Sequence, residues 1–387
     1  QHIKELSKDS NKLTIDYWWQ QGIGVGHYYP VIMGFIYFAT APSMLCGQLF
    51  NVWLAILTCL VIYFITIEIG GSQRAGFIAG IVACIYPSYV FYGSLLLKDT
   101  IFAPIILLAI LLGIKLLKNF RWWLFSIFYF ILLAATHFRF YVAYALIFAF
   151  VICWFSFAKI KIKKRISIGM FIFIILGSVP GFLGFGYYGF STIKQYINPN
   201  MIAFYREIAY APFVGSSNAT QSEQEPGVRP VNFFEKILTT IAPREGGGFS
   251  EGEPQGGTGS SITTESIDVY NPIKSLWIIS KSFVYVVLGP LPWQVKSLKQ
   301  TFVFAETIPW CVLIYFIAKG FVKSVKRDKS VFLPMIFSIL VFGVLSLFLS
   351  NFGIVTRIRI PAFLALFCFA PFGFENIKLF QKWTTKK

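Results

Sequence analysis

Long runs of apolar residues, separated by short polar interruptions, occupy most of this chain. The runs approach the ~20 residues that a helix needs to cross the hydrocarbon core of a bilayer. Of the 387 residues, 56% are hydrophobic and only 13% are charged. A chain inside lipid must satisfy its own backbone hydrogen bonds, and an α-helix does so within a single segment. The sequence therefore predicts an all-α, polytopic membrane protein and argues against a soluble domain.

Nine apolar runs are predicted to cross the membrane, and two shorter stretches are predicted to lie at its surface. The nine runs are Cys46–Glu68, Phe77–Gly93, Ile101–Leu117, Trp122–Thr136, Phe140–Ala158, Ile166–Tyr188, Phe302–Ala318, Val331–Ser350 and Ile360–Phe374. Tyr29–Thr40 and Ile273–Trp293 are short or interrupted by Gly and Pro, so interfacial or re-entrant helices fit them better. Because the chain begins at Gln1 within a polar stretch, we expect a further span upstream.

The runs divide the chain into three segments. Residues 1–190 form an N-terminal membrane core, residues 191–272 a long polar loop, and residues 273–387 an interfacial helix followed by the last three spans. Within the loop, Glu245–Thr264 is rich in Gly, Ser and Glu and nearly devoid of hydrophobic residues, so it is predicted to be flexible. A lid that orders on substrate binding and a plain flexible insertion both fit this composition.

The basic residues indicate which loops share a side of the membrane. Counting along the predicted spans puts one large group of Lys and Arg residues on a single side: Lys115, Lys118, Arg121, Lys159, Lys161, Lys163, Lys164, Arg165, Lys319, Lys323, Lys326, Arg327, Lys329, Lys378, Lys382, Lys386 and Lys387. Cytoplasmic loops carry such an excess. We therefore expect a multi-pass protein of the cytoplasmic membrane, with its C-terminus inside and the long, acidic loop outside.

The formal net charge of +17 would favour nucleic-acid binding in a soluble protein. Most of this charge flanks apolar runs, and the sequence shows neither stacking platforms nor solvated basic faces. No nucleic-acid partner is expected. The six cysteines lie inside apolar runs at no metal-ligand spacing, so they indicate neither disulfides nor a zinc site.

Four basic residues lie on the side that is otherwise poor in Lys and Arg: Lys98, Arg139, Arg357 and Arg359. Each belongs to a very short polar interruption between long apolar runs. Lys and Arg are usually concentrated in cytoplasmic loops, so basic residues on the opposite side more often have a function than occur there by chance. The sequence therefore predicts a pocket for an anion, most simply a phosphate, at the outer face of the membrane.

Asp99 is the acidic residue closest to these cations in the sequence, directly after Lys98. One interpretation is structural, because a carboxylate at this position would cap a helix that begins at Thr100. The other is functional: Asp99 binds a metal ion or a substrate hydroxyl while Lys98 takes a phosphate charge. A divalent metal is compatible with such a site and is not required by it, so the cofactor stays unknown.

The stretch Asn351–Pro361 carries two of the cations, Arg357 and Arg359. Residues spaced i and i+2 face the same way in an extended segment and diverge in a helix. Arginine suits forked contact with phosphate and keeps its charge when poorly solvated. The structural alternative is that both side chains reach outward to lipid headgroups.

Two further polar residues are candidates for substrate binding. His137 shares an outer turn with Arg139, although a lone histidine more often has a structural role. Glu306 lies one turn inside its apolar run, where it would be a buried partner for an arginine.

The order of several short motifs resembles a known family. Gln48–Trp53 enters a span, the Gly-rich turn Gly70–Gly76 follows it, and Tyr86-Pro87-Ser88 precedes Leu97-Lys98-Asp99. Late in the chain, Asn351–Pro361 places arginine ahead of a final apolar run. This order resembles the membrane-embedded glycosyltransferases of the C superfamily, in particular bacterial relatives of the protein mannosyltransferase and lipid A aminoarabinose transferase families.

The resemblance implies an enzyme that takes a sugar from a polyprenyl-phosphate donor, transfers it to a glycan, lipid or protein acceptor at the outer membrane face, and inverts the anomeric centre. Asp99 matches the family's second acidic position and would be catalytic, while Lys98, Arg357 and Arg359 would neutralise the departing phosphate. The family's principal carboxylate follows its first span and is expected just upstream of residue 1, with Asp9 and Asp16 as fallback candidates.

Two other classes of function fit many of the same features. A polysaccharide polymerase or ligase also has many spans, a large outer loop and outward arginines, but it uses diphosphate-linked glycans. A transporter or flippase would carry ionisable residues near the middle of its spans and often internal repeats. Here the charges lie at the edges of the runs, and no repeat is evident.

Overall fold

A computed structural model of the chain describes residues 28–181, 184–196, 202, 272–289, 291, 298–348 and 352–375. Within these residues all regular secondary structure is helical. The helices are α1 (Tyr28–Ala39), α2 (Met44–Glu68), α3 (Gln73–Cys84), α4 (Pro87–Ser94), α5 (Lys98–Lys118), α6 (Trp122–Phe157), α7 (Ile162–Gly177), α8 (Gly186–Tyr196), α9 (Pro272–Leu288), α10 (Leu298–Arg327), α11 (Phe332–Phe348), α12 (Phe352–Ile358), α13 (Ile360–Leu366) and α14 (Ala370–Phe374). The expected all-α class is confirmed for this part of the chain.

Five helical segments among the described residues are long and apolar enough to cross a membrane. They are α2, α5, α6, Thr307–Arg327 within α10, and Lys329–Leu347, which combines a 3-10 turn with α11. Helices α3 and α4 are bent by 63° at the break between them and add a sixth if they count as one span. The protein therefore has the architecture of a multi-pass membrane protein, and the count of nine spans stays a prediction.

Helix α6 is 36 residues long and reverses direction at Arg139, whose backbone angles (φ −150°, ψ 85°) are not helical. The rings of Phe128 and Phe150 lie 4.7 Å apart, whereas 22 residues of straight helix would separate them by ~33 Å. The two arms of α6 therefore pack side by side as a hairpin. They correspond to the two predicted runs Trp122–Thr136 and Phe140–Ala158, with the reversal at the predicted outer turn.

The predicted span Ile166–Tyr188 is not one continuous helix, so that prediction was wrong. Helix α7 ends at Gly177, and the chain then turns back through Tyr187 and Tyr188, which have left-handed φ values of 49° and 60°. The Tyr188 hydroxyl donates to the carbonyl of Phe173 at 2.9 Å, which holds the returning chain against α7. Pro180 cannot donate a backbone hydrogen bond, and the glycines around it permit the turn.

Helix α5 is the centre of the bundle, with most of its residues buried. It packs against α2, α6 and α13, while α11 packs on α6 and α13, so helices before residue 190 and after residue 272 share one hydrophobic core. The short apolar stretch Ile360–Phe374 is almost wholly enclosed by the other helices. With 21 residues α5 is ~30 Å long, which separates its two ends by about one hydrocarbon thickness.

A cluster of charged residues surrounds the carboxyl end of α5. Lys118 Nζ lies 2.9 Å from a carboxylate oxygen of Asp328 and 3.1 Å from Glu68 Oε1, and Lys159 Nζ lies 3.2 Å from Asp328. Glu68 and Lys118 end α2 and α5, while Lys159 and Asp328 follow α6 and α10. The basic loops after α5, α6 and α10 were predicted to share one side of the membrane. Their proximity places those loops together at one end of the bundle.

Candidate functional site

At the amino end of α5, the carboxylate of Asp99 binds two arginines from distant parts of the chain. Arg139 donates from Nε to Asp99 Oδ1 at 2.6 Å and also from Nη2 to the same oxygen. Arg357 donates from Nε to Asp99 Oδ2. Asp99, Arg139 and Arg357 are 7%, 4% and 8% exposed, so the charges meet almost entirely out of contact with solvent.

Local structure explains why these three side chains can meet. Asp99 lies in the first turn of α5, where the helix dipole stabilises negative charge. Arg139 occupies the reversal of α6, and its Nη1 also donates to Tyr141 Oη at 2.6 Å. The N-cap of α5 is Leu97, without a side-chain capping bond. Asp99 is therefore not the N-cap of a helix that begins at Thr100, as one interpretation expected, but it does lie in the first turn, where it complements the helix dipole.

Lys98 adds a third positive charge to this cluster. Its side chain is half-buried, and its charge interacts with those of Arg139, Asp99 and Arg357. Within the described part of the chain, no hydrogen bond or ion pair fixes its amino group. Three cations thus surround one carboxylate, and a half-buried ammonium beside buried guanidinium groups favours the binding of an anion.

Polar contacts between neighbouring residues link the segments that carry the charged side chains. Tyr92 Oη and Thr356 Oγ1 lie 3.2 Å apart, which links α4 to the helix of Arg357. Thr100 Oγ1 donates to the carbonyl of Tyr92 at 3.3 Å. These residues and Tyr141 were not predicted from the sequence. Their positions in the sequence could have identified them. Thr100, Tyr141 and Thr356 each lie within two residues of a predicted site residue, and Tyr92 lies at the end of the apolar run that precedes Lys98.

Arg359 does not join the cluster, so the expectation that it shares a phosphate pocket with Arg357 was wrong. The predicted outer loop Asn351–Arg359 is largely helical: α12 covers Phe352–Ile358, and Arg359 itself is helical (φ −73°, ψ −15°). In this conformation side chains at i and i+2 diverge. The cause is packing, because apolar neighbours on both sides of Arg359 are buried in the core.

Arg359 instead binds the carboxyl end of α9. Its Nη1 donates to the carbonyls of Val286 and Gly289 at 2.9 and 2.8 Å, and its guanidinium lies 4.8 Å from the centre of the Phe363 ring. Carbonyls at a helix C-terminus carry partial negative charge, which a cation stabilises. In this structure Arg359 connects two helices.

The two remaining predicted residues are placed differently. His137 lies in the last turn before the reversal of α6, with Nδ1 2.7 Å from the carbonyl of Leu133 and its ring edge-on to Tyr28 at 5.2 Å. Glu306 belongs to α10, but its side chain lies outside the described residues. Asp9, Asp16 and the segment Glu245–Thr264 also lie outside them.

Within the described residues, no group of three or more His, Cys, Asp or Glu side chains is arranged to hold a metal ion. The site instead consists of one carboxylate, two guanidinium groups, one ammonium and their hydroxyl neighbours. No protein-family model, curated protein or solved structure matches this chain. Its functional interpretation therefore rests on the residues and their geometry.

Proposed function

We propose that the protein is an integral membrane glycosyltransferase. It would move a sugar from a polyprenyl-phosphate donor to an acceptor at the extracytoplasmic face of the membrane. The observation that carries this proposal is the buried meeting of Asp99, Arg139 and Arg357, with Lys98 beside them, at one end of a membrane-length helix.

The residue types suit the leaving group of such a reaction. Transfer of a glycosyl group from a lipid phosphate releases a phosphate whose negative charge grows in the transition state. Preorganised cations in a site with little water stabilise that charge strongly. Arg357 supplies a guanidinium with a geometry that matches phosphate oxygens, and Lys98 supplies a compact charge on a flexible stem.

Asp99 would serve the reaction in two states. In the free protein it compensates the charges of Arg139 and Arg357 and holds them in place. When a phosphate enters, the arginines can exchange a carboxylate oxygen for a phosphate oxygen. The released Asp99 would keep both arginines oriented towards the leaving phosphate. A single displacement inverts the anomeric centre, because the acceptor hydroxyl attacks from the face of the sugar opposite that phosphate. The general base for the acceptor hydroxyl would therefore be a group on that opposite face and not Asp99.

The sidedness of the bundle supports the same proposal. The Asp99 cluster lies at the amino end of α5, and the Lys118–Asp328–Lys159 cluster surrounds the other end. If the basic loops are cytoplasmic, as their charge favours, Asp99 faces outward. A polyprenyl carrier presents its phosphate at that surface of the bilayer.

Replacing Asp99 or Arg357 with Ala in the membrane-inserted protein should reduce transfer from a radiolabelled polyprenyl-phosphate sugar by at least about 100-fold. Arg327→Ala is the matched control, because Arg327 pairs with Glu375 away from the site. Its transfer rate should stay near that of the parent protein.

Three outcomes would overturn the proposal or redirect it. Unchanged transfer in Asp99→Ala and Arg357→Ala would remove both residues from the mechanism. Product formed only from a diphosphate-linked glycan would indicate a polymerase or ligase. Accumulation of the lipid-linked sugar across vesicles without a covalent product would indicate a transporter.

A further inference from the structure

Asn51 connects two segments that flank the anion site. It is fully buried within the apolar helix α2. Its Nδ2 donates to the carbonyl of Leu95 at 2.5 Å and lies 3.0 Å from the hydroxyl of Tyr29, which in turn donates to Asn51 Oδ1 at 3.2 Å. Tyr29 belongs to α1, and Leu95 lies three residues before Lys98. One amide thus joins α1, α2 and the segment that carries the charged pair.

The segment Leu95–Leu97 is extended, so contacts with other parts of the chain matter more for its position than they would for a helix. Leu95 (φ −85°, ψ 154°) and Leu97 (φ −119°, ψ 141°) are extended, so the chain between α4 and α5 lacks a helical hydrogen-bond ladder. A buried amide such as that of Asn51 is stable only with its polar atoms paired. The Leu95 carbonyl accepts from both the Asn51 amide and the Leu97 backbone N–H, the latter at 2.8 Å. The Asn51–Leu95 bond therefore ties this extended segment, just before the first turn of α5, to α2.

Gly47, one turn before Asn51, marks a second close approach in the same place. A Cβ atom at Gly47 would lie 2.6 Å from Leu96 Cδ2 and 2.7 Å from Tyr37 Oη. Helix α1 and the Leu95–Leu97 segment therefore meet on the surface of α2 that runs from Gly47 to Asn51. At its start, α1 also contacts α6 through Tyr28 and His137, close to the reversal at Arg139.

We propose that Asn51 is a positioning residue of the anion site and that, with Tyr29, it docks α1 as a cap beside Lys98 and Asp99. The cap holds the Leu95–Leu97 segment against α2, which keeps the ammonium of Lys98 near the guanidinium groups of Arg139 and Arg357. The claim that the site attracts anions rests on the proposed function. The claim that Asn51 docks α1 and the Leu95–Leu97 segment rests instead on the hydrogen bonds of its amide.

The experiment places a thiol at the site and measures its reactivity and electrostatic surroundings. Lys98→Cys is introduced into the full-length protein in liposomes and treated with two membrane-impermeant methanethiosulfonate reagents, one anionic and one cationic. The protein with Lys98 intact gives the background from the native cysteines. In this variant the two positive charges of Arg139 and Arg357 still exceed the one negative charge of Asp99, so the site keeps a net positive charge. The anionic reagent should therefore react about tenfold faster than the cationic one.

Asn51→Leu and Tyr29→Phe are then combined with Lys98→Cys. Release of the cap should raise the rates of both reagents several-fold and bring their ratio towards one. Tyr29→Phe removes a single hydroxyl and keeps the ring, so it tests the same contact even if Asn51→Leu fails to fold. Tyr63→Phe and Thr66→Val are matched controls at the far end of α2, and they should change neither rate. The Thr66 hydroxyl, which the second control removes, donates to the Ile62 carbonyl within the same helix.

The outcomes separate the two proposals. Unchanged rates together with a ratio near ten in Asn51→Leu and Tyr29→Phe would overturn the positioning role of Asn51 while leaving the anion site intact. A ratio near one in Lys98→Cys alone would overturn the anion site. Faster reaction on loss of Asn51 or Tyr29 would still support the cap.

Discussion

Arg139 combines two properties that usually belong to different residues: it lies where α6 reverses, and it holds the carboxylate of Asp99. An unpaired charge at the centre of a membrane helix costs about 2.5–3.5 kcal/mol on insertion scales. The ion pair compensates that cost, and the reversal places the guanidinium at the end of the bundle. The same residue therefore lies at the turn of the hairpin and compensates the charge of Asp99.

We predict that Arg139→Ala destabilises the protein by about 3–5 kcal/mol. The change removes one partner of a buried ion pair and leaves the negative charge of Asp99 with one guanidinium group fewer to balance it. Arg327→Ala should cost less than about 1 kcal/mol, since the Arg327–Glu375 pair is partly exposed. Thermal or denaturant unfolding in detergent measures the difference. Equal stability of the two variants would contradict the importance of the Asp99–Arg139 pair.

Among the helices, α10 and α14 approach each other so closely that their backbones touch. Gly320 and Gly373 face each other there: a Cβ at Gly320 would overlap the Phe369 carbonyl oxygen, and one at Gly373 would overlap the Phe316 carbonyl oxygen. Small residues permit such contacts between membrane helices, where dispersion contacts stabilise the pair. A backbone atom cannot rotate away as a flexible side chain can.

We therefore expect Gly320→Ala to destabilise the fold by at least about 1–3 kcal/mol, the usual cost of overpacking. Gly343→Ala in α11 is the control, because a Cβ at Gly343 would meet no atom within 4 Å from the other described residues that pack around α11. That change should be neutral or stabilise by about 0.5–1 kcal/mol through the better helix propensity of alanine. Unfolding curves that shift equally for both variants would show that the two helices can separate without cost.

The junction of α5, α6 and α10 should respond to pH through Asp328. Burial by itself raises the pKa of the Asp328 carboxyl, but Lys118, the Ser330 backbone N–H and Lys159 outweigh it and hold the pKa below the ordinary 3.8. A carboxyl whose pKa falls on folding stabilises the folded state above its unfolded pKa, and that contribution disappears as the pH falls through the folded pKa.

Asp328→Asn should therefore lower the unfolding temperature by a constant amount above about pH 5 and by progressively less below about pH 4. The measurement is the unfolding temperature of both proteins across this range. A difference that grows on acidification would mean that the carboxyl is less acidic in the folded protein than in the unfolded chain.

For the whole molecule, the two charged clusters at opposite ends of α5 predict two faces exposed to different compartments. Ser94 and Lys161 are both exposed and lie at the Asp99 and Lys118 ends respectively. In intact cells, Ser94→Cys should react with an impermeant maleimide, while Lys161→Cys should react only after permeabilisation. The reverse pattern would place the Asp99 site on the cytoplasmic face and contradict the proposed transfer at the outer surface.

The length and spacing of apolar runs were enough to predict the helical class and the hairpin around Arg139. They also grouped the basic loops after α5, α6 and α10, which meet at one end of the bundle. These features depend on a match between helix length and bilayer thickness, and the number of apolar residues in each run is enough to show that match. Asp99, Arg139 and Arg357 could be singled out for a related reason, because charges are rare in such runs and each must have a partner.

Only the tertiary structure decided which of these charges meet. Arg357 and Arg359 diverge because packing makes their segment helical, and the Ile166–Tyr188 run breaks because the chain folds back on α7. Asn51 contacts Leu95 from 44 positions away, and Tyr92 contacts Thr356 from 264. Such pairings depend on how the helices pack around α5, and hydrophobic periodicity along the sequence carries little information about that packing.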